Sequence, residues 1–220
     1  MSLRIRVLVA DDHGIVAEAL QQLLGTQSDL EVVGSAATGV EAVQRARELA
    51  PDVVLMDVAM PELNGIEAAR QIRASCPRCR VVILSMYADG EHVHRALQAG
   101  ASGYVLKKSA ARETVGAIRA AHRGAHFLSS ELAGAVAAAR AAGGDALAQL
   151  SPRERQVLQL LAEGKSGSQI GERLSLSPKT VDTYRSRLAE KLGIHDLPGL
   201  VRFAIQHGVI PLEYGEPGPE

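Results

Sequence analysis

Five short apolar runs recur along the first half of the chain, each followed by a stretch with helical periodicity. The runs cover 6–10, 31–36, 52–56, 81–85 and 103–106. The intervening segments 15–24, 40–49, 65–74, 91–99 and 110–122 carry apolar residues at three- and four-residue spacing, as an amphipathic helix requires. Val53 to Met56 is apolar at every position, so a strand there needs cover on both faces. Strands alternating with helices of this length, some apolar on both faces, leave an α/β, doubly wound, five-stranded parallel sheet as the expected fold. Right-handed crossovers then restrict its topology to a few arrangements.

After Arg123 the pattern changes. Residues 129–149 read SSELAGAVAAARAAGGDALAQ, an Ala- and Gly-rich stretch, and a linker is expected over 126–148. Beyond it lies a second, smaller all-α domain over 149–212, with four helices announced by their N-terminal signals. Ser151-Pro152-x-Glu154 offers a cap, a proline at the first helical position and a capping-box acid. Ser166-x-x-Gln169 repeats the box, Ser177-Pro178 opens a third helix to Leu192, and Asp196 caps a fourth. In the first domain, 1–125, Thr38-x-x-Glu41 reads as another reciprocal box. The tail, 213–220, is Gly- and Pro-rich and expected to be disordered.

With 46% hydrophobic residues the chain can build a proper core. No apolar run approaches the roughly 20 residues of a membrane span. The N-terminal apolar run is too short for a signal peptide and ends in acids, so a cytoplasmic protein with no membrane partner is expected. Charge is unevenly spread: residues 1–125 hold 14 basic against 14 acidic side chains, and 149–212 hold 9 against 6. The basic balance is weak support for a nucleic-acid reader. The two cysteines form Cys76-Pro77-Arg78-Cys79, a spacing shared by half a zinc site and by redox pairs. No second ligand pair accompanies them, and the motif lies between a helix and a strand rather than opening a helix. Two ordinary loop thiols are the expectation.

Chemistry converges on the carboxyl ends of the strands. In a doubly wound sheet ligands bind there, beside the switch in strand order. The first run ends in Asp11-Asp12, the third in Asp57, the fourth in Ser85 and the fifth in Leu106-Lys107. Each has a plain explanation alone: Asp57 suits a helix cap or a turn, Asp12 a cap, Lys107 a solvated surface. Together they place three carboxylates, a hydroxyl and an ammonium at one rim. Crowded carboxylates resist ionisation unless a cation sits among them, and magnesium takes such oxygens together with phosphate. A carboxylate beside that metal can attack a phosphoryl donor and form an acyl phosphate. Lys107 and Ser85 would then hold the equatorial oxygens, where charge accumulates. Asp57, alone at the end of the central strand, is the expected nucleophile. Pro61 is expected to fix the turn beyond it and Asn64-Gly65 to let the chain reverse.

With the Asp11-Asp12 pair, DVAMPELNG around Asp57, ILSMY around Ser85 and GASGYVLKK around Lys107, residues 1 to about 125 resemble the flavodoxin-like receiver domain of two-component response regulators. The resemblance implies that a histidine kinase phosphorylates Asp57. It implies that Asp12, Asp57 and the Ala59 carbonyl bind Mg²⁺ directly, with Asp11 acting through water. Tyr104 matches the family's aromatic switch residue, which turns inward as Ser85 engages the phosphoryl group, and Lys107 rather than Lys108 matches its lysine.

Residues 150–194 resemble the LuxR-type helix-turn-helix, and with the receiver this points to the NarL/FixJ class. One departure is Gly167, where the family more often has Asn or Thr; weaker capping of that helix is expected. Steps of about 100° from Val181 put Val181, Leu188 and Leu192 on one core stripe. Lys179, Asp182, Thr183, Ser186 and Arg187 fall opposite, as on a helix that reads the major groove of double-stranded DNA. Asp182, Thr183 and Ser186 are expected near base edges, with Thr180 beside them. Lys179, Arg187 and Lys191 are expected on the backbone. Leu197, Leu200, Val201, Ala204 and Ile205 divide between core closure and a two-fold interface, making a homodimer on phosphorylation or DNA binding an expectation.

The leading reading is a phosphorylation-switched transcription regulator rather than an enzyme. A phosphohydrolase would place a second acid two residues after its nucleophile, and that position is Ala59. A regulator that binds DNA regardless of phosphorylation stays open.

Overall fold

The computed structural model describes residues 4–132 and 147–211. The chain divides into two compact units, Met1–Gly143 and Gly144–Glu220. Most of the expected linker and the expected tail lie outside the described residues.

The first unit alternates β1 (Ile5–Ala10), α1 (Gly14–Gly25), β2 (Leu30–Ala36), α2 (Gly39–Leu49), β3 (Val53–Asp57), α3 (Gly65–Ser75), β4 (Arg80–Ser85), α4 (Gly90–Gln98), β5 (Gly103–Leu106), α5 (Ala110–His122) and β6 (Phe127–Leu128). All pairings are parallel, in the order β2-β1-β3-β4-β5-β6. Side chains alternate across the pleat, so each strand feeds two cores. Leu8, Val54, Met56, Ile83 and Tyr104 meet α2, α3 and α4 through Ala46, Ile72 and Val93. Val7, Val9, Leu55, Val82 and Val105 meet α1 and α5 through Leu20, Leu24 and Ile118. This is why Val53 to Met56 had to be apolar throughout.

The sheet has six strands where five were expected. The chain expected to begin a linker at 126 instead returns to the edge of β5: Phe127 pairs with Gly103 and Leu128 with Tyr104. A single turn of 3-10 helix follows, Ser130–Leu132, and buries Leu132 in the α2–α4 core. Two residues with no alternating pattern beyond them carry no strand signal in sequence.

Three local expectations are corrected. Thr38 caps α2, but Glu41 accepts from the backbone N–H of Ala37 rather than Thr38, so the reciprocal box does not close. The turn after Asp57 reverses at Glu62, which carries φ 69°. Asn64 is the N-cap of α3, its side chain accepting from Glu67 N–H. Gly65 serves close packing: a Cβ there would stand 1.8 Å from the Asp57 carbonyl oxygen. Finally, Cys76 and Cys79 are joined in a disulfide and are not two free thiols.

The second unit holds α6 (Pro152–Ala162), α7 (Gly167–Leu174), α8 (Pro178–Leu192) and α9 (Leu197–Gln206). The boxes at Ser151 and Ser166 both close reciprocally. Gly167 therefore does not weaken its cap, because the bonds come from Ser166 and Gln169 on either side of it. Gly171 admits the turn into α8, where a Cβ would meet the Leu176 carbonyl oxygen at 2.6 Å. Val181 and Leu188 are buried with Val157, Leu161, Ile170, Leu200 and Ala204, and Leu192 packs against them. Among the described residues, no helix is long and apolar enough to cross a membrane.

Candidate functional site

Parallel strands end on one side, so their terminal polar groups share a rim. The strand order switches at β1, with β2 on one flank and β3 on the other. Asp11 follows β1 and Asp57 closes β3, at 3% and 2% exposure. The Lys107 ammonium, delivered by β5, lies 2.9 Å from Asp11 Oδ2 and 2.8 Å from Asp57 Oδ2. Asp11 Oδ1 accepts from His13 N–H at 2.9 Å, which curls the chain so that Asp12 faces the same pocket. Ligand atoms of Asp11, Asp12, His13 and Asp57 all fall within 4.8 Å of one another. His13 was not anticipated; it follows the acid pair directly and lies 2.9 Å from Asp12 Oδ1.

Burial pushes the Asp57 carboxyl up to about 6, with Lys107 opposing and Asp11 reinforcing the rise. Asp12 is raised as well, first by burial, against the pull of His13. Lys107 is raised despite burial, because Asp57 and Asp11 hold its charge in place. The buried oxygens Asp11 Oδ2 and Asp57 Oδ2 face the Lys107 ammonium, and Asp12 Oδ1 faces the His13 ring. Three carboxylates against one ammonium make an oxygen-rich pocket with surplus negative charge. These residues fit a hard divalent cation. Ala59 lies half-buried in the loop after Asp57.

Ser85 and Tyr104 are both fully buried, and both grip the backbone of Tyr87. The Tyr87 N–H donates to Ser85 Oγ at 3.0 Å, and the Tyr104 hydroxyl donates to the Tyr87 carbonyl at 2.9 Å. Tyr104 therefore occupies an inward position, and burial raises its hydroxyl pKa. Tyr87 stacks on His92, ring centroids 4.4 Å apart, and His92 Nδ1 lies 2.7 Å from Asp89. Burial opposes ionisation of Asp89, but bonds from His92 outweigh it and hold the carboxyl at about 2. Sequence reading missed Tyr87, Asp89 and His92, whose roles come from contact rather than from a chemical signature.

On α8, Lys179, Asp182, Thr183, Ser186 and Arg187 are exposed, and Thr180 is half-buried beneath the Ser177 cap. The hydroxyls of Thr183 and Ser186 donate to the carbonyls of Lys179 and Asp182, leaving their oxygens outward-facing acceptors. Arg187 lies 5.9 Å over the Tyr184 ring. Arg185 is exposed too, and was overlooked because its helical angle falls beside the core stripe. Lys191, expected on the DNA backbone, is exposed and also holds contacts within the unit. Its ammonium bonds Glu154 at 2.7 Å and the Gln149 carbonyl at 3.1 Å, so it braces the unit internally. On α9, Leu200 and Ala204 close the core, Val201 and Ile205 are half-buried, and Leu197 is exposed.

Comparison with known proteins agrees with both halves. Residues 7–119 match the model of the response regulator receiver domain, and 148–204 that of bacterial regulatory proteins of the luxR family. The chain is 38% identical to the transcriptional regulatory protein MctR of Rhizobium johnstonii, over 94% of this chain and 96% of that one. It is 37% identical to the response regulator UvrY of Escherichia coli, over 95% and 97%. Among solved structures, a LuxR-family response regulator from Aurantimonas is 38% identical with TM-score 0.60, covering 63% of this chain and 99% of that one. An RcsB–DNA complex is 26% identical with TM-score 0.58, covering 91% and 97%.

Proposed function

The chain belongs to the two-component response regulators that join a receiver domain to a LuxR-type DNA-binding domain, and we propose that Asp57 is the residue through which a histidine kinase switches it. The observation that carries this is the bridge of Lys107 between Asp11 and Asp57 at one buried rim. An Asp57 carboxylate oxygen attacks the phosphorus of the kinase phosphohistidine. The new O–P bond forms as the P–N bond breaks, and the imidazole keeps the electron pair. Lys107 lies where it can neutralise the phosphoryl oxygens, and the Ser85 hydroxyl can leave Tyr87 N–H to bond one of them.

Asp12, Asp57 and the Ala59 carbonyl would hold Mg²⁺, with Asp11 acting through water. The ion supplies charge that offsets the approach of an anionic donor to three carboxylates. Tyr104 follows Ser85, since both share the Tyr87 backbone, and the two-state element is this loop.

The helical unit binds double-stranded DNA through α8. Thr183, Ser186, Asp182 and Thr180 face base edges, and Lys179, Arg187 and Arg185 face phosphates. Exposed Leu197 with Val201 and Ile205 supplies a patch for a second copy of the chain on paired half-sites. Such a regulator works in the cytoplasm, beside its DNA.

Intact mass after incubation with acetyl phosphate and Mg²⁺ tests the reading, beside Asp57→Asn and a metal-free control. One added phosphoryl group, absent from both controls, is the expected result. A phosphoryl group retained by Asp57→Asn would overturn it.

A further inference from the structure

The Cys76–Cys79 pair lies outside the phosphoryl site and the DNA-reading helix. Its two Cα atoms are 5.5 Å apart, inside the range of about 4.4–6.8 Å that a disulfide spans. Backbone hydrogen bonds also tie the two residues into one turn. Cys76 is the C-cap of α3, its N–H bonded to the Ile72 carbonyl at 2.7 Å. The Cys79 N–H then returns to the Cys76 carbonyl at 3.0 Å, closing a four-residue turn. Arg73, on the last turn of α3, brackets the turn from outside. Its guanidinium donates to the carbonyls of Pro77 at 2.8 Å and Cys79 at 3.1 Å. None of these bonds involves a sulfur atom, so opening the disulfide removes none of them.

The two cysteines are not equivalent. Cys79 is buried in the α2–α4 core at 1% exposure, whereas Cys76 is only partly buried against it. An incoming disulfide can reach Cys76 alone. The carbonyl end of α3 disfavours a thiolate there, but the Arg73 guanidinium bound into the turn, together with exposed Arg78, supplies opposing positive charge. A four-residue ring removes little entropy from the unfolded chain, so as a structural staple this bond is close to the weakest the chain could make.

We infer that Cys76 and Cys79 form a reversible dithiol–disulfide site that exchanges with low-molecular-weight disulfides, Cys76 being the attacking thiol and Cys79 the resolving one. The Cys76 thiolate attacks one sulfur of the external disulfide, forming a mixed disulfide and releasing one thiolate. Cys79, deprotonated, then displaces the second external sulfur from Cys76. Two protein thiols and one external disulfide become one protein disulfide and two external thiols, so electrons and protons balance.

The test equilibrates the full-length protein in buffers of stepped reduced-to-oxidised glutathione ratio, quenches with acid, alkylates under denaturing conditions so that both thiols are accessible, and reads intact mass. The expected result is a reversible passage between a doubly alkylated form and an unalkylated form lacking two hydrogens. In Cys79→Ser a single glutathione adduct should accumulate on Cys76; in Cys76→Ser no adduct should form, because the remaining thiol is buried. Circular dichroism matching the wild type keeps both variants interpretable. Alkylation of both thiols at every ratio would overturn the inference. So would a disulfide that reduced glutathione never opens in the folded protein, or an adduct that forms on Cys79 in Cys76→Ser.

Discussion

The Lys191 ammonium lies 2.7 Å from the Glu154 carboxylate, joining the last turn of α8 to the first turn of α6. The same carboxylate accepts from Ser151 N–H at 2.7 Å, so one buried acid both caps α6 and pins α8 against it. A basic residue on α8 here does structural service.

Lys191→Ala should therefore cost stability, by about 1.5–3 kcal/mol, the net worth of a hydrogen bond to a charged group. The slope of log affinity for DNA against log salt should stay as in the wild type. Lys179→Ala and Arg187→Ala should behave oppositely, each lowering that slope by about one with little change in melting. Chemical unfolding and salt-titrated DNA binding separate the two behaviours.

Glu154 also gives the DNA-binding unit a pH dependence. Burial acts to raise its carboxyl, but the bonds from Lys191 and Ser151 outweigh burial and lower it. A depressed carboxylate contributes stability that is present above its unfolded value of about 4.3 and lost as pH falls through the folded value. Glu154→Gln should be less stable than the wild type near neutral pH. The gap between their melting temperatures should close as pH falls below about 4. A gap that stays constant with pH would show that the carboxylate charge plays no part.

In the receiver, Gly65→Ala should destabilise by about 3 kcal/mol, the top of the usual overpacking range, because its Cβ would stand 1.8 Å from the Asp57 carbonyl oxygen. The strand end must move to relieve that contact, so phosphoryl incorporation from acetyl phosphate should fall with stability. Gly14→Ala, where a Cβ meets nothing within 4 Å, is the control and should change neither.

Ser129 accepts from the buried Leu106 N–H at 3.0 Å and itself donates to Glu113 on α5. Leu106 immediately precedes Lys107, so this hydroxyl ties the chain leaving β6 to the strand end that carries the site's cation. Ser129→Ala should leave the Leu106 N–H without its acceptor, at a cost of about 1–3 kcal/mol. Hydrogen exchange should rise at Leu106 more than at Val82 or Leu55 in the sheet interior.

Residue order alone accounts for much of the molecule, wherever the signal is periodic or local. The five strands longer than two residues and their helices could be read from apolar spacing, since burial on both faces of β3 permits nothing else. Four helix caps in the second unit were legible because Ser or Asp followed by a donor three residues on is a local bond. The acids of β1 and β3 could be placed on one rim because parallel strands end on the same side. The long-range partners those groups take follow from the folded arrangement of the elements. That arrangement assigned Lys191 to Glu154, gave Tyr87 to both Ser85 and Tyr104, returned residues 127–132 to the sheet and drew Cys76 against Cys79. These are contacts between groups whose own sequence neighbourhoods are unremarkable. Periodicity records which face of an element is buried, but not which atom from a distant element arrives to meet it.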